Sequence, residues 1–452
     1  AVWVLLTHGL PIIADDTPVH LMRLYLLDQH ARAGDLLPRW LPELYTGYGY
    51  PLFTFYAPAM YYVAAWLHLA GVSLVDGYRL TYALAVIAGA VGAAFLGAGL
   101  YENKTIQRWG DWRLEIARAG ESPNLQSPIS NLSISAALLT ATAYTYTLYL
   151  LANVYVRGAF GEVGAQALLP WLFWAWRGLL LAPRRVTWLA LAAGLLALLA
   201  MTHTITFLLA LPCLVAYVVT LAAARRNVAL LVAPAGAALL AALLSAVIWL
   251  PQLLERSTLS TAAWSTALLL DNLWRWQDFV ALDLRFRAVA GGQTPYQLGA
   301  VQVWLLLAGL IFTRRRTAEW WFWAGVLGVS VLLMSPLSAP LWASVPALAV
   351  IQFPWRLLSV AGLATALLGA GVVTAFTTPA ARAIATALLI AFIVVTQTPR
   401  TAETPHVVAP VDVRLSPASL ARFEVAESAY GAGYDDEFLP RWANPAALAE
   451  LA

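Results

Sequence analysis

The chain has 452 residues, of which 61% are hydrophobic and only 11% are charged, and its mean hydropathy is +0.71. A soluble domain carries roughly 25% charged residues, so water cannot be the solvent for most of this surface. The net charge of +3 is scattered without a basic stripe, which argues against nucleic acid as a partner.

Apolar runs close to the ~20 residues needed to cross a bilayer recur along the chain. Only helices satisfy their own backbone inside lipid at that length, so the runs predict an all-α, polytopic membrane protein with about eleven transmembrane helices. The predicted spans run from the start to 13 and then over 80–100, 132–152, 164–182, 186–202, 204–223, 228–250, 299–313, 320–334, 357–376 and 383–397.

Basic residues mark one side of the membrane, because they cluster in every second connection between the spans. Cytoplasmic loops carry an excess of Lys and Arg, so these connections are predicted to be cytoplasmic. They contain Lys104, Arg108, Arg113, Arg118, Arg184, Arg185, Arg225, Arg226, Arg314, Arg315, Arg316 and Arg382.

The segment 58–75 is apolar enough to cross, but its crossing would put residue 14 and the basic loop 101–131 on the same side. We therefore predict an interfacial or re-entrant helix within a first extracytoplasmic loop over 14–75. His68 and Trp66 suit the headgroup level better than the bilayer centre. An ordinary span, with a weak charge signal elsewhere, is the alternative.

The sequence divides into a transmembrane domain over 1–397 and the start of an extracytoplasmic region over 398–452, which we expect to be truncated. The polar, Ser- and Pro-rich stretch 101–131 is predicted to be a cytoplasmic linker. The first apolar stretch ends by Ala14, too short to span alone, so we expect the sequence to lack its true start; a cleaved signal peptide is the alternative.

Polar residues that could take part in catalysis or binding lie on the side opposite the arginine-rich loops. They form the candidate site. They are Asp15, Asp16, His20, Arg23, Arg39, Glu43 and Tyr56 in the first outer loop, Asn153, Tyr155, Arg157 and Glu162 in the second, and His203, Gln352 and Arg356 at later outer ends.

Asp15 and Asp16 follow directly after the first span, where a carboxylate can act as a general base or bind a divalent cation such as Mg or Mn. On local sequence alone, a helix cap is the simpler interpretation. His20 and Arg23 share one face of a helix beginning near Thr17, although Leu residues also make that helix an ordinary amphipathic one.

Charged residues also stand at the mouths of later spans. Arg157 and Glu162 lie close enough to be each other's partners, since charge beside apolar flanks is costly unless it is paired or used. Arg356 can hold a lipid phosphate by two parallel hydrogen bonds. Snorkelling to ordinary headgroups is an equally good account of Arg356.

Several motifs are absent, and this narrows the function. The sequence contains no Walker-type phosphate loop, no G-x-G-x-x-G after a strand, no H-E-x-x-H and no Ser nucleophile elbow. Its single cysteine, Cys213, excludes a disulfide framework. These absences disfavour nucleotide-driven transport and favour a donor that arrives within the membrane.

Five motifs together resemble the bacterial membrane family labelled 6-pyruvoyl-tetrahydropterin synthase-related, although nothing here resembles the soluble zinc-dependent pterin enzyme. That family is in turn similar to the GT-C glycosyltransferases. The motifs are ADDTPVHLMR (14–23), GDLLPRWLPELYTGYGYPLFTFYAPAMYY (34–62), NVYVRGAFGEVGAQALLP (153–170), THTITFLL (202–209) and SAPLWASVPALAVIQFPWRLLSV (338–360).

The resemblance implies a GT-C-like fold in the bacterial cytoplasmic (inner) membrane with an extracytoplasmic active face. It further implies a polyprenyl-phosphate sugar as donor, a glycan, lipid or protein as acceptor, and an acidic pair that holds the base; Asp15 and Asp16 occupy that place. The second acid is Asp where many relatives have Glu, so either can be the base. The alternatives are a transporter or flippase of lipid-linked intermediates, and a non-catalytic membrane protein of GT-C ancestry.

Overall fold

The computed structural model describes residues 1–8, 10–11, 16–102, 131–182, 185–260, 265–274, 296–402, 406–407, 416–426, 431 and 438–443. These residues are overwhelmingly helical, and the predicted all-α fold class is confirmed. The predicted linker lies almost wholly outside the described residues, as does Asp15.

In the first half of the chain, mostly short helices come before residue 74 and mostly long helices follow. In chain order they are α1 (Trp3–His8), α2 (Thr17–Arg32), α3 (Leu52–Phe55), α4 (Ala59–Leu69), α5 (Leu74–Tyr101), α6 (Asn131–Thr145), α7 (Leu148–Ala152), α8 (Phe160–Leu181), α9 (Arg185–Thr202) and α10 (Thr204–Ala224).

The second half continues with α11 (Val232–Glu255), α12 (Thr266–Asp271), α13 (Ala300–Phe312), α14 (Ala318–Met334), α15 (Ala339–Ser344), α16 (Leu358–Gly369), α17 (Pro379–Ala402) and α18 (Pro417–Ala426). A π-helical turn, Asn153–Arg157, joins α7 to α8. Short 3-10 turns cover Tyr45–Gly47, Val228–Leu231, Arg256–Thr258, Pro336–Ser338, Pro346–Ile351, Pro354–Leu357 and Ala370–Ala375.

Among the described residues, five helices are long and apolar enough to cross a membrane, or seven if each of two bent pairs is one span. Two shorter apolar helices, Val186–Thr202 and Ala300–Phe312, add to these. The polytopic membrane architecture is therefore confirmed, whereas the count of about eleven spans stays a prediction.

The start of the chain differs from the prediction of one helical run to residue 13. Helix α1 ends at His8, and Leu10–Pro11 (β1) instead pairs antiparallel with His406–Val407 (β2). Pro11 has no backbone N–H to continue a helical hydrogen-bond ladder, which accounts for the early end of the helix.

The segment 58–75 does not form one span. Helix α4 has 11 residues, about 16 Å at 1.5 Å per residue, so it is too short to cross. Gly71, with φ 96°, interrupts the helical path after α4. Ser73 then caps α5 by accepting a hydrogen bond from the Asp76 N–H. The structure thus contains a separate short helix where an interfacial helix was predicted.

Glycines on α5 allow its neighbours to approach closely. A Cβ atom at Gly89 would lie 3.1 Å from the Cα atom of Ala167 on α8, and one at Gly92 would lie 2.7 Å from the ring of Trp171. Small residues serve this purpose in membrane helices, where close van der Waals packing replaces the hydrophobic effect between helices. Helix α16 lies at the centre, with every residue buried.

Candidate functional site

The segments predicted to be the first and second outer loops are joined at the head of α2. The backbone N–H of Asp16 donates a 2.7 Å hydrogen bond to the carbonyl oxygen of Arg157. Asp16 is the N-cap residue of α2, and its half-buried side chain is close enough to Arg157 to favour the charged guanidinium. One predicted acid and one predicted arginine therefore lie together.

Arg157 forms the centre of a buried polar cluster. Its Nη1 donates to Glu162 Oε2 at 2.8 Å and to Asn153 Oδ1 at 2.9 Å. Asn153 and Arg157 are four residues apart in the π-helical turn, so they project from one face. The other carboxylate oxygen, Glu162 Oε1, accepts hydrogen bonds from the Tyr149 hydroxyl and, at 3.5 Å, from the Ser359 hydroxyl.

Aromatic rings cover this ion pair. The Arg157 guanidinium lies 4.9 Å from the ring centroid of Trp355 and 5.8 Å from that of Tyr296. The two rings stack on one another at 4.0 Å. Such contacts stabilise a cation that is removed from water.

Arg356 enters the same region from the start of α16. Its Nη1 donates to the Ile351 carbonyl and to Gln352 Oε1, both at 2.9 Å. Among the described residues, Arg356 Nε and Asn153 Nδ2 are buried without a hydrogen-bond partner. Unpaired buried donors are costly, so these two nitrogens could each donate a hydrogen bond to a ligand oxygen.

Gln352 adopts φ 59° and ψ −50°, and the N–H of Phe353 bonds back to the Ile351 carbonyl at 2.6 Å. This is the γ-turn of positive φ, which is rare and strained. Strained backbone of this kind clusters at functional sites. The turn holds the Gln352 amide against Arg356.

His20 and Arg23 lie on the buried face of α2, as the spacing predicted. His20 Nδ1 shares a 2.6 Å hydrogen bond with the Tyr61 hydroxyl, and Arg23 lies 4.4 Å above the ring of Tyr56. Burial lowers the pKa of His20 well below its usual value, and the charges of Arg23, Arg157 and His203 lower it further. This environment disfavours the protonated imidazolium form of His20.

His203 occupies the one-residue break between α9 and α10. Its Nδ1 accepts the Thr206 N–H at 3.2 Å, so in the neutral ring Nε2 carries the proton. Burial lowers the pKa of His203 to about 4, although Glu162 opposes the shift. A Cβ atom added to Gly161 would meet His203 at 3.5 Å and the Tyr56 hydroxyl at 3.7 Å, so these side chains border α8 where it begins.

Three predicted site residues make their described contacts elsewhere. Arg39 is exposed and donates to the Val247 carbonyl at 3.2 Å. Glu43 pairs with His30 at 3.1 Å. The Tyr155 hydroxyl donates to the Ala1 carbonyl, on the opposite face of the turn from Arg157.

Sequence reasoning missed four members of the cluster: Tyr149, Tyr296, Trp355 and Ser359. Tyr149 carried a signal, because it precedes Asn153 by four residues and Arg157 by eight, which is a single helical face. Tyr296 and Trp355 carried none, since they meet Arg157 only through the packing of separate segments.

A second buried ion pair lies at the other end of α8. Arg177 Nε donates to Glu319 at 3.0 Å, Tyr217 donates to the same carboxylate at 2.5 Å, and Arg177 Nη2 donates to the Gly99 carbonyl at 2.8 Å. The arginine-rich turn after α13 lies at this end as well. Glu162 and Arg177 lie near opposite ends of the 22-residue helix α8, about 22 Å apart along its axis at 1.5 Å per residue.

No group of three or more His, Cys, Asp or Glu residues that could hold a metal ion occurs within the ranges that the structure describes. Asp15 lies outside those ranges. The cluster around Arg157 is dominated by donors rather than by acidic ligands, which suits an anion.

No protein-family model matches the chain. No curated protein matches it either. A solved structure, a cryo-EM structure of a mutant of the arabinofuranosyltransferase AftD from mycobacteria, is similar to this chain with a TM-score of 0.48 and 18% sequence identity. The similarity covers 86% of this chain and 26% of that chain, so the chain spans about a quarter of the length of that structure. The family resemblance noted from the motifs therefore stays a prediction.

Proposed function

We propose that this chain is a GT-C-type glycosyltransferase that transfers a sugar from a polyprenyl-phosphate donor to an extracytoplasmic acceptor in the bacterial inner membrane. The observation that supports the proposal is the 2.7 Å hydrogen bond from the Asp16 backbone N–H to the Arg157 backbone carbonyl oxygen, because it joins the main chain at a candidate base to the main chain at a candidate cation. The motif resemblance and the membrane-spanning helices support the same function.

The reaction is an inverting displacement. Asp15 or Asp16 takes the proton of the acceptor hydroxyl, and the acceptor oxygen forms a bond to the anomeric carbon of the sugar. The bond from that carbon to the phosphate oxygen breaks, and its electron pair leaves with the polyprenyl phosphate. The proton stays on the aspartate until water removes it.

The arginines stabilise the negative charge that develops on the leaving phosphate. Arg356 Nε and Asn153 Nδ2 are two of the buried donors without a protein partner among the described residues, and hydrogen bonds to Gln352 and Arg157 hold their side chains in place. Preorganised donors of this kind stabilise a charge that grows in the transition state, because they need no reorganisation. His203 offers a further N–H from its Nε2.

Asp15 and Asp16 are tested by transfer from a polyprenyl-phosphate sugar to acceptor, with the protein in lipid nanodiscs. We expect Asp15→Asn or Asp16→Asn to lower turnover by about 10²- to 10⁴-fold, the usual contribution of a general base. Asp35→Asn is the matched control, since Asp35 is a half-exposed carboxylate of the same loop. If both variants fold and keep full turnover, the base assignment fails.

Two rival functions predict different outcomes when sugar transfer is measured in the same nanodiscs and lipid scrambling in proteoliposomes. A transporter or flippase would move lipid-linked sugar between leaflets without forming a glycosidic bond. A non-catalytic protein would bind the donor weakly and transfer nothing. Measuring transfer and lipid scrambling side by side separates all three.

A further inference from the structure

The C-terminal segment, by which we mean Pro417–Ala426, Gly431 and residues 438–443, packs on the first outer loop. Its Glu424 has no exposed surface. The carboxylate accepts hydrogen bonds from the backbone N–H groups of Tyr45 (2.8 Å), Thr46 (2.7 Å) and Gly431 (2.8 Å). One buried acid therefore joins two distant parts of the chain.

The turn that Glu424 holds is an unusual one. Tyr45 and Thr46 have φ values of 56° and 53°. This left-handed conformation is unfavourable for residues that have a Cβ atom. Two successive N–H groups aimed at one carboxylate make this conformation favourable. Without Glu424, both amides would lose this shared acceptor and the turn would relax.

Phe438 of the same segment contacts aromatic residues of the first outer loop. Its ring stacks on Phe55 at 5.8 Å with an interplanar angle of 18° and meets Tyr56 edge-on at 6.5 Å. Its N–H donates to the Tyr50 hydroxyl at 2.8 Å. Tyr56 is the ring that lies under Arg23, so Phe438 packs against the ring that supports this arginine.

The same segment is fixed to the loop after α11. Leu259 forms a bridge with Pro440, the Ser260 N–H donates to the Leu439 carbonyl at 2.8 Å, and the Arg441 N–H donates to the Thr258 carbonyl at 2.8 Å. Phe438 is therefore held between two loops by backbone hydrogen bonds. Its position does not depend on side-chain packing alone.

We infer that the C-terminal segment is a positioning element of the site: Glu424 sets the left-handed turn at Tyr45 and Thr46, and Phe438 holds Tyr56 beneath Arg23. The inference rests on the proposed function for its effect on transfer, but the contact itself does not. Neither residue touches the reacting groups, so both act through Tyr56 and its loop.

Hydrogen–deuterium exchange on the full chain in nanodiscs tests the contact. We expect Glu424→Gln and Phe438→Ala to speed exchange in peptides covering 41–56, while peptides of the central helix α16 stay protected. Arg422→Ala, an exposed change on the same helix as Glu424, is the control and leaves exchange unchanged. Unchanged exchange over 41–56 in both folded variants would overturn the inference.

Transfer kinetics test the positioning role. We expect Phe438→Ala to raise KM for the polyprenyl-phosphate sugar by about three- to tenfold, the size of one aromatic pair, and Phe438→Tyr to restore it. In a double-mutant cycle, Phe438→Ala should add little once Tyr56 is changed to Ala. Additive effects would overturn a role through Tyr56. If the wild type transfers no sugar, the proposed function fails, and exchange alone decides the contact.

Discussion

The Asp16 N–H and the Arg157 carbonyl oxygen lie 2.7 Å apart and form the one described backbone hydrogen bond between the head of α2 and the turn before α8. Sidedness predicted from arginine-rich loops requires these two residues to share one end of the molecule. The bond places them there, with Arg177 and Glu319 at the far end of α8. Which end faces the cytoplasm stays a prediction.

Labelling of single cysteines tests that orientation. In a Cys213→Ser background, we expect Leu37→Cys to react with a membrane-impermeant maleimide in intact cells, and Arg315→Cys to react only after lysis, since both positions are exposed. Labelling after lysis of both variants is the control for access. The reverse pattern would contradict the predicted sidedness.

The Arg157–Glu162 pair predicts a large and specific loss of stability. Glu162→Gln leaves a buried guanidinium without its carboxylate, which costs about 3–5 kcal/mol of unfolding free energy. The double variant Arg157→Met/Glu162→Leu should recover most of that loss without restoring transfer. Thermal unfolding in detergent micelles measures both effects.

The partly exposed pair Arg79–Asp76, whose side chains are 26% and 45% exposed, is the matched control for this experiment. Its removal by Arg79→Ala should cost no more than about 1 kcal/mol, because solvent screens the pair. Equal losses for the buried and the exposed pair would show that Arg157 is hydrated and that the cluster is open to water.

Gly161 predicts a steric effect at the junction of α8 with His203. A Cβ atom there would lie 3.0 Å from the Thr202 carbonyl oxygen, a backbone atom that cannot easily move. Gly161→Ala should therefore cost about 1–3 kcal/mol and lower transfer. Gly194→Ala is the control, since no atom lies within 4 Å of its added methyl group, and it should be neutral or stabilising. Thermal unfolding distinguishes the two variants.

Two histidines whose pKa values are lowered in the folded chain predict a stability that falls in acid. The pKa of His20 is well below its usual value and that of His203 is about 4, whereas an unfolded histidine titrates near pH ~6.5. Below that pH the unfolded chain binds protons that the folded chain does not. The unfolding free energy therefore decreases as pH falls from about 6.5 toward about 4 and is unaffected above that window.

The variants His20→Gln and His203→Asn should flatten this dependence, and Asn retains an acceptor for the Thr206 N–H. Melting temperatures recorded between pH 7.5 and pH 5 give the measurement. A slope that the double variant leaves unchanged would assign the acid sensitivity to other groups.

The membrane helices were predictable because solvent imposes a simple rule on them. A run such as 204–223 has to be helical and long, and the structure gives Thr204–Ala224. The start of the chain was not predictable in this way, because β1 depends on a partner strand at His406–Val407. Pairing between distant segments leaves no local pattern.

The site was predictable where helical spacing fixed it and not elsewhere. The spacing of His20 and Arg23 predicted that they share one face of α2, and both are buried there, whereas the Tyr155 hydroxyl donates to the Ala1 carbonyl. Arg39 and Glu43 lie in a Pro- and Gly-rich stretch whose path no periodicity determines. The function assigned to these residues stays a proposal.

The γ-turn at Gln352 has a consequence for how this protein could be altered. A left-handed backbone at a residue with a side chain costs about 1–3 kcal/mol, so a glycine at this position would make a more durable protein. It would also remove the amide that orients Arg356. Selection for heat resistance alone would therefore favour replacement of Gln352. A thermostable variant that retains Gln352 would indicate that the activity of the protein was under selection as well.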